Sequence, residues 1–334
     1  MRLSKAMSKQ QIIEILKKST DERSVARFNP SFLTPRQEMT SEEHARLRSL
    51  IPTPVGLRKR ETFSFLVNLS YASSRLEGNT YSEIDTRTLL EDNIPSADNS
   101  AEETKMILNH KRAFDRLLKA ESLDKSLILD LHRQLADSQG VDSAQHFLEP
   151  EYCGVIRTFD ELYIGQTTYI PTVDYPGKKP TISDHLDTIV ASANTISDPL
   201  EQSMYLFTRL PYLQAFRDCN KRTSRLAGNF PLIKSGDYPI SFMGFAKSEY
   251  NKGMIAFYEF GSTDLFKDGF VEAYLHSALR FHPFDLATTI YLQSQDKAEL
   301  LRGLREYVVE NKGCEAVEKI LSHHMTDETL EPRR

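Results

Sequence analysis

Apolar residues recur at three- and four-residue spacing along most of this chain, whereas the alternation typical of β-strands is scarce. This pattern predicts a mainly helical fold. Two start signals support it: Thr80 to Glu83 and Ser100 to Glu103 each match the capping box, in which side chains satisfy free amides at the beginning of a helix. We therefore expect a helix to follow each of them.

One stretch interrupts the helical pattern. Residues 154–171, GVIRTFDELYIGQTTYIP, place β-branched and aromatic residues around a short polar centre, which predicts a β-hairpin. Helices are expected on its C-terminal side at 181–196 and 199–216. A loop at 217–220 should then lead into a further helix that starts near Asn220.

Polar connectors predict three regions. The sequence PSADNS at 95–100 separates an N-terminal helical region, 1–95, from a core at 100–281. After the core, 285–334 is expected to form a C-terminal helical module. That module ends without a basic helix, so we do not expect it to bind nucleic acid.

Composition excludes several classes of protein. Hydrophobic residues make up 40% and charged residues 27% of the 334 positions, as in an ordinary globular protein. The net charge of −5 argues against a surface built to bind nucleic acid. Three distant cysteines fit neither a disulfide framework nor a zinc site, so a cytoplasmic location is predicted. No apolar run is long enough for a membrane span, and nothing indicates an oligomeric state.

The densest group of functional residues is 214–225, QAFRDCNKRTSR. Arg222 and Arg225 are three residues apart and so share one face of a helix that begins near Asn220. Cations at a helix start are unfavourable because they oppose the macrodipole. The clustering of Arg222, Arg225 and Lys221 beside free backbone amides therefore indicates a phosphate site. The alternative is a helix with scattered surface charges. Asp218 could hold Mg²⁺ against a polyphosphate, which points to a ligand such as ATP.

This string resembles the signature of the Fic (Fido) domain proteins, H-x-F-x-[D/E]-G-N-G-R-x-x-R. The matching residues are Phe216, Asp218, Asn220, Arg222 and Arg225. Upstream, SSRLEGN at 73–79 resembles the inhibitory motif of the family, [S/T]-x-x-x-E-[G/N], with Ser73, Glu77 and Gly78 in place. The hairpin expected at 154–171 stands where the family carries the flap that binds its target. The resemblance covers about residues 60–281.

The resemblance implies a Fic-type helical bundle with a β-hairpin flap, extended by helices at both ends. It also implies an enzyme that uses ATP and Mg²⁺ to move AMP onto a hydroxyl of a target protein. The aspartate that matches Asp218 would hold the metal, while the amides around Asn220 and Lys221, together with Arg222, would hold the phosphates. Arg225 would bind the terminal phosphate.

The resemblance further implies that Glu77 competes with the nucleotide for Arg225, since one charge-assisted pair excludes the other. Glu77 has a simpler interpretation as the last residue of a helix, with Gly78 as its left-handed cap. Both interpretations can hold at once.

The motif departs from the family at three positions. Gln214 replaces the histidine that accepts the proton of the attacking hydroxyl, and loss of a general base costs about 10²–10⁴ in rate. The nearest histidine in sequence is His185, and Tyr212 would need a strongly shifted pKa to substitute. Cys219 and Lys221 replace glycines, so we expect a reshaped phosphate cradle.

The other two departures leave alternatives open. Lys221 matches the N-K-R of the Doc branch, which resembles kinases. Cys219 at a helix start could be a reactive thiol or a buried spacer, and the buried spacer is the commoner outcome. The hairpin could pair with a target by strand addition or simply pack on the helical body.

The sequence therefore predicts a nucleotide-binding Fic protein that acts as, or derives from, a protein adenylyltransferase, inhibited by Glu77 and impaired by Gln214. The alternatives are a non-catalytic nucleotide sensor, a Doc-like phosphotransferase and an enzyme that removes AMP. Its partner would be a target protein docked at 154–171.

Overall fold

A computed structural model describes residues 7–52, 54–141 and 146–330. The mainly helical fold class is confirmed. The outer ends of the predicted regions 1–95 and 285–334, residues 1–6 and 331–334, lie outside the described residues.

The N-terminal part contains four α-helices and two short 3₁₀ turns, Thr20–Glu22 and Pro30–Leu33. The helices are α1 (Lys9–Leu16), α2 (Ser41–Leu50), α3 (Lys59–Glu77) and α4 (Glu83–Asp92). Helix α3 buries its apolar side and ends at Gly78, whose φ of 109° lies in the left-handed region that glycine adopts without a steric penalty. This cap places Glu77 at the very end of the helix.

The central part contains eight helices. They are α5 (Ala101–Leu118), α6 (Lys125–Ala136), α7 (Ile182–Ala193), α8 (Pro199–Leu213), α9 (Asn220–Ala227), α10 (Phe230–Ser235), α11 (Lys247–Phe260) and α12 (Asp264–Phe281). The helices expected at 181–196, at 199–216 and from Asn220 are confirmed, although α7 and α8 each end three residues early. Helix α8 is buried continuously from Ser203 to Leu213, as expected for a helix with apolar residues on all sides at the centre of a bundle.

Both predicted helices are present, since α4 follows Thr80 and α5 follows Ser100, but only one of the two expected capping boxes is confirmed. Ser100 and Glu103 form the capping box of α5. The expected box at Thr80 is wrong, because Ser82 caps α4 and the Thr80 hydroxyl instead donates to Glu103 Oε1 at 2.6 Å. Ser82, which can also cap a helix, lies two residues closer to the start of α4 than Thr80 does.

The predicted hairpin at 154–171 is also wrong. The two strands in the described residues are β1 (Ala26–Arg27) and β2 (Tyr169–Ile170), and they pair in parallel with each other. The backbone of both arms pairs with other segments instead, since Arg157 N donates to Ala215 O at 3.0 Å and β2 pairs with β1. The Arg157 guanidinium joins the two arms by donating to the carbonyls of Asp160 and Thr172. A single backbone bond, Asp174 N to Thr158 O at 2.9 Å, also links the arms.

The C-terminal part consists of α13 (Leu286–Ser294), α14 (Lys297–Glu310) and α15 (Glu315–Leu330). Helix α14 packs on α12 and α2, and its buried Leu301, Leu304 and Val308 join the apolar core of the preceding helices. The division of the chain into three regions stays a prediction. None of the helices within the described ranges has the length and apolar character that a membrane span requires.

Candidate functional site

The loop from Gln214 to Asn220 is held in shape by its own last residue. Helix α8 stops because Gln214 adopts the left-handed conformation, with φ at 51°. Across the loop, Asn220 Oδ1 accepts from Phe216 N at 3.0 Å, and Asn220 Nδ2 donates to Phe216 O at 2.7 Å and to Gln214 Oε1 at 3.1 Å. An amide is needed here because it donates and accepts at once.

His132 supports the loop from below, although sequence analysis did not identify it. Its ring stacks on Phe216 with centroids 3.7 Å apart. His132 Nδ1 accepts from Gly154 N at 2.8 Å, so its Nε2–H donates to the Asp218 carbonyl at 3.2 Å. Burial lowers the pKa of His132 to about 3, and the imidazole is therefore neutral. No pattern in the sequence connects His132 with a loop 86 residues away.

Asp218 and Cys219 face opposite environments. The Asp218 side chain is 48% exposed, and one of its oxygens accepts from Cys219 N at 2.5 Å. Cys219 keeps the left-handed backbone that glycine favours, with φ at 60°, while its sulfur is buried beside Ala136 and Cys153. Burial raises the pKa of the Cys219 thiol well above its ordinary range, which favours the spacer interpretation over a reactive thiol.

The start of α9 can receive an anion. No side chain caps this helix, and Thr223 N makes the first helical bond, to Cys219 O at 2.9 Å. Arg222 is 3% exposed; its Nη2 donates to the His146 carbonyl, and its Nη1 has no partner among the described residues. A buried guanidinium with a free donor beside an uncapped helix start suits a phosphate or carboxylate group.

Arg225, by contrast, has several partners. Its Nε donates to Ser73 Oγ at 2.9 Å, and its Nη2 donates to Ser73 O at 3.1 Å and to Glu77 Oε1 at 2.5 Å. Its Nη1 donates to the Tyr250 hydroxyl at 3.3 Å. The spacing of Ser73 and Glu77, four residues apart on α3, places both on one helix face toward Arg225. We call this group, Ser73, Glu77, Arg225 and Tyr250, the α3–α9 clasp.

A second neutral histidine lies behind the clasp. His110 Nδ1 donates to Met106 O at 2.8 Å, so its Nε2 accepts from the Ser73 hydroxyl at 2.8 Å. Burial lowers the pKa of His110 to about 3. The Ser73 hydroxyl therefore points its proton at His110 and its lone pair at Arg225. Sequence analysis missed both His110 and Tyr250, which no motif marks.

The charges around Glu77 keep it ionised. Burial by itself raises the pKa of Glu77, but Arg225, Arg222 and Lys221 outweigh burial and hold it at about 2. Burial lowers the pKa of Lys221, and the charge of Glu77 opposes that shift. The structure thus brings Glu77 and Gly78 from α3 to the three cations of α9, although 148 residues separate Glu77 from Arg225. Glu77 is also the last residue of a glycine-capped helix, so that interpretation is confirmed, while its competition with a nucleotide for Arg225 stays a prediction.

Neither Tyr212 nor His185 replaces Gln214 as a base at the loop. The side-chain Nε2 of Gln214 donates to Pro211 O at 2.7 Å, and its backbone carbonyl accepts from Arg157 Nε at 2.6 Å. Tyr212 accepts from Asn29 N at 2.7 Å, and burial raises its pKa to about 12. His185 packs against the Phe28 ring, 4.8 Å between centroids. Neither alternative from the sequence is placed to take a proton at the loop.

Comparison with known proteins identifies the class. A model of the Fic/DOC family matches residues 122–232, a range that includes the loop and α9. The solved structure of a fragment of Fic-1 from Caenorhabditis elegans is 21% identical and has a TM-score of 0.54, with 75% of this chain and 70% of that chain covered. A Fic family protein from Desulfovibrio desulfuricans is 14% identical and has a TM-score of 0.58, with 88% and 92% covered. The chain therefore has the Fic fold, and residues 122–232 match the Fic/DOC family.

Curated relatives carry a functional name. The "Protein adenylyltransferase fic-1" of Caenorhabditis briggsae is 27% identical over 198 residues, which cover 57% of this chain and 36% of that protein. The "Protein adenylyltransferase Fic" of Aedes aegypti is 25% identical over 212 residues, which cover 61% and 39%. The match thus spans little more than a third of the length of these relatives.

Proposed function

We propose that this protein binds ATP with Mg²⁺ at the start of α9 and belongs to the protein adenylyltransferase class, with Glu77 as an intramolecular inhibitor. The names of the curated relatives support the class. The observation that carries the proposal is the contact of Glu77 with Arg225 beside an Arg222 that keeps a free donor.

The residues present suit a metal-bound polyphosphate. Arg222 Nη1 is buried without a partner, α9 has no side-chain cap, and the carboxylate of Asp218 is half exposed. Asp218 would hold Mg²⁺, which neutralises charge on phosphate oxygens. Asn220, Lys221 and Arg222 would hold the phosphates through the amides of the first turn and the guanidinium.

The reaction of this class also needs a proton acceptor. The oxygen of a target hydroxyl bonds to the α-phosphorus, the bond to the β-phosphate oxygen breaks, and pyrophosphate leaves. The proton of the hydroxyl must pass to a base as this happens. Gln214 occupies that position, and an amide does not accept a proton near neutral pH. We infer that transfer is slow in this protein.

Inhibition follows from competition for one guanidinium. Arg225 is 1% exposed and already donates to Glu77, Ser73 and Tyr250, so a terminal phosphate would have to displace the carboxylate. The ionised state of Glu77 strengthens this competition, because two anions cannot share the same donor at low cost.

The target protein is proposed to dock at 154–171. Within this segment Phe159 and Tyr163 are exposed, and the Tyr163 side chain reaches 92% exposure. Exposed aromatic side chains provide much of the binding energy at protein interfaces. The arms are not a hairpin, so docking through these side chains is better supported than strand addition.

Calorimetric titration with ATP and Mg²⁺ tests the proposal. Wild type should bind weakly, and Glu77→Gly should bind at least about tenfold more tightly, since one charge-assisted competitor is removed. Glu91→Gly is the matched control, because it also places a glycine in the last turn of a helix, at the exposed end of α4. This variant should bind ATP as wild type does. Absence of binding by all three proteins would reject the proposal.

Restoring the base tests the chemistry. In a Glu77→Gly background, where the proposed inhibitor is absent, Gln214→His should raise self-labelling from α-labelled ATP by about 10²–10⁴ if the base alone is missing. Label from γ-labelled ATP would instead indicate a Doc-like phosphotransferase. If Gln214→His labels no more than Gln214→Ala with either nucleotide while ATP still binds, the non-catalytic sensor becomes the better proposal.

A further inference from the structure

A cavity of about 340 Å³ lies where α12, α13 and α14 meet. Its wall is mixed: four leucines and Phe284 form the apolar part, and the other lining residues are polar or charged. A volume of this size is at the lower end of the range for pockets that bind small molecules. None of the residues named at the start of α9 lines it, so the cavity is separate from the proposed nucleotide site.

Two cations line this leucine cavity without an acidic partner. Neither Arg280 nor Lys297 forms an ion pair in the described part of the chain, although both border the cavity. Burial and the charge of Arg280 lower the pKa of Lys297, and Glu83 opposes the shift. Glu83 is itself engaged, since the Asn68 amide, in its better orientation, donates to Glu83 at 3.3 Å and accepts from Arg280 at 3.1 Å. The wall therefore keeps an excess of positive charge.

A buried polar atom also lies in the wall. His276 is 3% exposed, and its Nδ1 has no hydrogen-bond partner among the residues described. Burial, Lys297 and Arg280 lower the pKa of His276 to about 3, so the ring is neutral and carries one donor and one acceptor. His276 therefore adds a neutral polar side chain to a wall that already carries two cations.

We propose that this cavity binds a small organic anion, a carboxylate or phosphate monoester with an apolar body. Arg280 and Lys297 hold the anionic group, and the leucines contact the apolar body. His276 completes the site with a hydrogen bond to the ligand. The two cations suit a single anionic group, and the leucines suit a compact apolar body. A highly charged nucleotide would match these features less well.

Calorimetric titration of the full chain with phenyl phosphate and with phenylacetate tests this assignment. Both should bind, and neutral benzyl alcohol should bind at least about tenfold more weakly, because it lacks the charge that the two cations recognise. Lys297→Gln and Arg280→Gln should each weaken binding of the anions about tenfold. Arg302→Gln removes the same charge from an exposed position on α14 and should leave affinity unchanged.

A further variant separates this cavity from the α9 site. Arg222→Gln removes the free donor at the α9 site, and the binding of both anions that remains in this variant should still be weakened about tenfold by Lys297→Gln, with the His276 ring nitrogen resonances still shifting on titration. Binding lost only in Arg222→Gln would overturn the proposal, and so would equal affinity for benzyl alcohol. No detectable binding of either anion would overturn it too.

Discussion

The two arginines of α9 are both almost completely buried, yet every side-chain nitrogen of Arg225 has a hydrogen-bond partner, whereas Arg222 keeps one nitrogen without a partner among the described residues. Arg225 is held in the α3–α9 clasp by Ser73, Glu77 and Tyr250. Arg222, three residues earlier, donates to the His146 carbonyl and keeps Nη1 without a partner in the described ranges. Removing one partner of a buried, hydrogen-bonded charge pair is strongly destabilising, whereas a buried charge with a free donor is suited to binding.

Both regions rest on a neutral histidine. His110 fixes the Ser73 hydroxyl behind the clasp, and His132 supports Asp218 and Phe216 beneath the loop. In each case a backbone partner determines the tautomer, and burial keeps the ring uncharged. An imidazole in this role orients its neighbours and does not exchange protons.

The sharpest test of the comparison replaces each arginine with methionine. Arg225→Met leaves Glu77 and the Ser73 carbonyl without their donor and should lower the free energy of unfolding by about 3–5 kcal/mol. Arg222→Met removes an incompletely paired charge, and the loss should be about 1 kcal/mol. Urea unfolding measures both. Equal losses would show that the two arginines are not in different environments.

The clasp should also show a characteristic pH dependence. The pKa of Glu77 is about 2 in the folded protein against an ordinary 4.5, so its pairing stabilises the fold above about pH 4.5 and is lost as the pH falls toward 2. The difference in unfolding free energy between wild type and Glu77→Gln should therefore shrink by on the order of 3 kcal/mol across that window. Unfolding curves at several pH values measure it.

The control for that experiment removes the partner. In an Arg225→Met background, Glu77→Gln should change the pH profile far less, because the nearest of the three cations is gone. A profile that is the same in both backgrounds would mean that Arg225 does not hold Glu77 ionised.

The smallest change in stability is expected for substitutions of Cys219, in the loop before α9. Cys219 adopts φ of 60°, a conformation that costs a residue with a side chain about 1–2 kcal/mol and costs glycine little. Cys219→Gly relieves that strain but loses a buried side chain, so stability should change by less than about 1 kcal/mol. Cys219→Ala keeps the strain and should be less stable than Cys219→Gly. The reverse order would mean that packing of the sulfur outweighs the backbone term.

The helices were the most predictable part of the molecule. The capping box at Ser100 and the starts of α7, α8 and α9 depend on residues close in sequence, and they agree with the structure. The expected hairpin failed because its second arm pairs with the distant strand Ala26–Arg27, a contact that the β-like composition of 154–171 does not reveal.

The local pattern alone determined that this chain is mainly helical and that cations gather at the start of a helix after Asp218, since periodicity and spacing act over a few residues. The tertiary structure decided which of those cations is paired, because Glu77, His110 and Tyr250 reach Arg225 only when α3, α5 and α11 pack around α9. It also decided where His132 lies and which cavity Arg280 and Lys297 share. Contacts between distant segments depend on the packing of whole helices, which short-range sequence patterns do not encode.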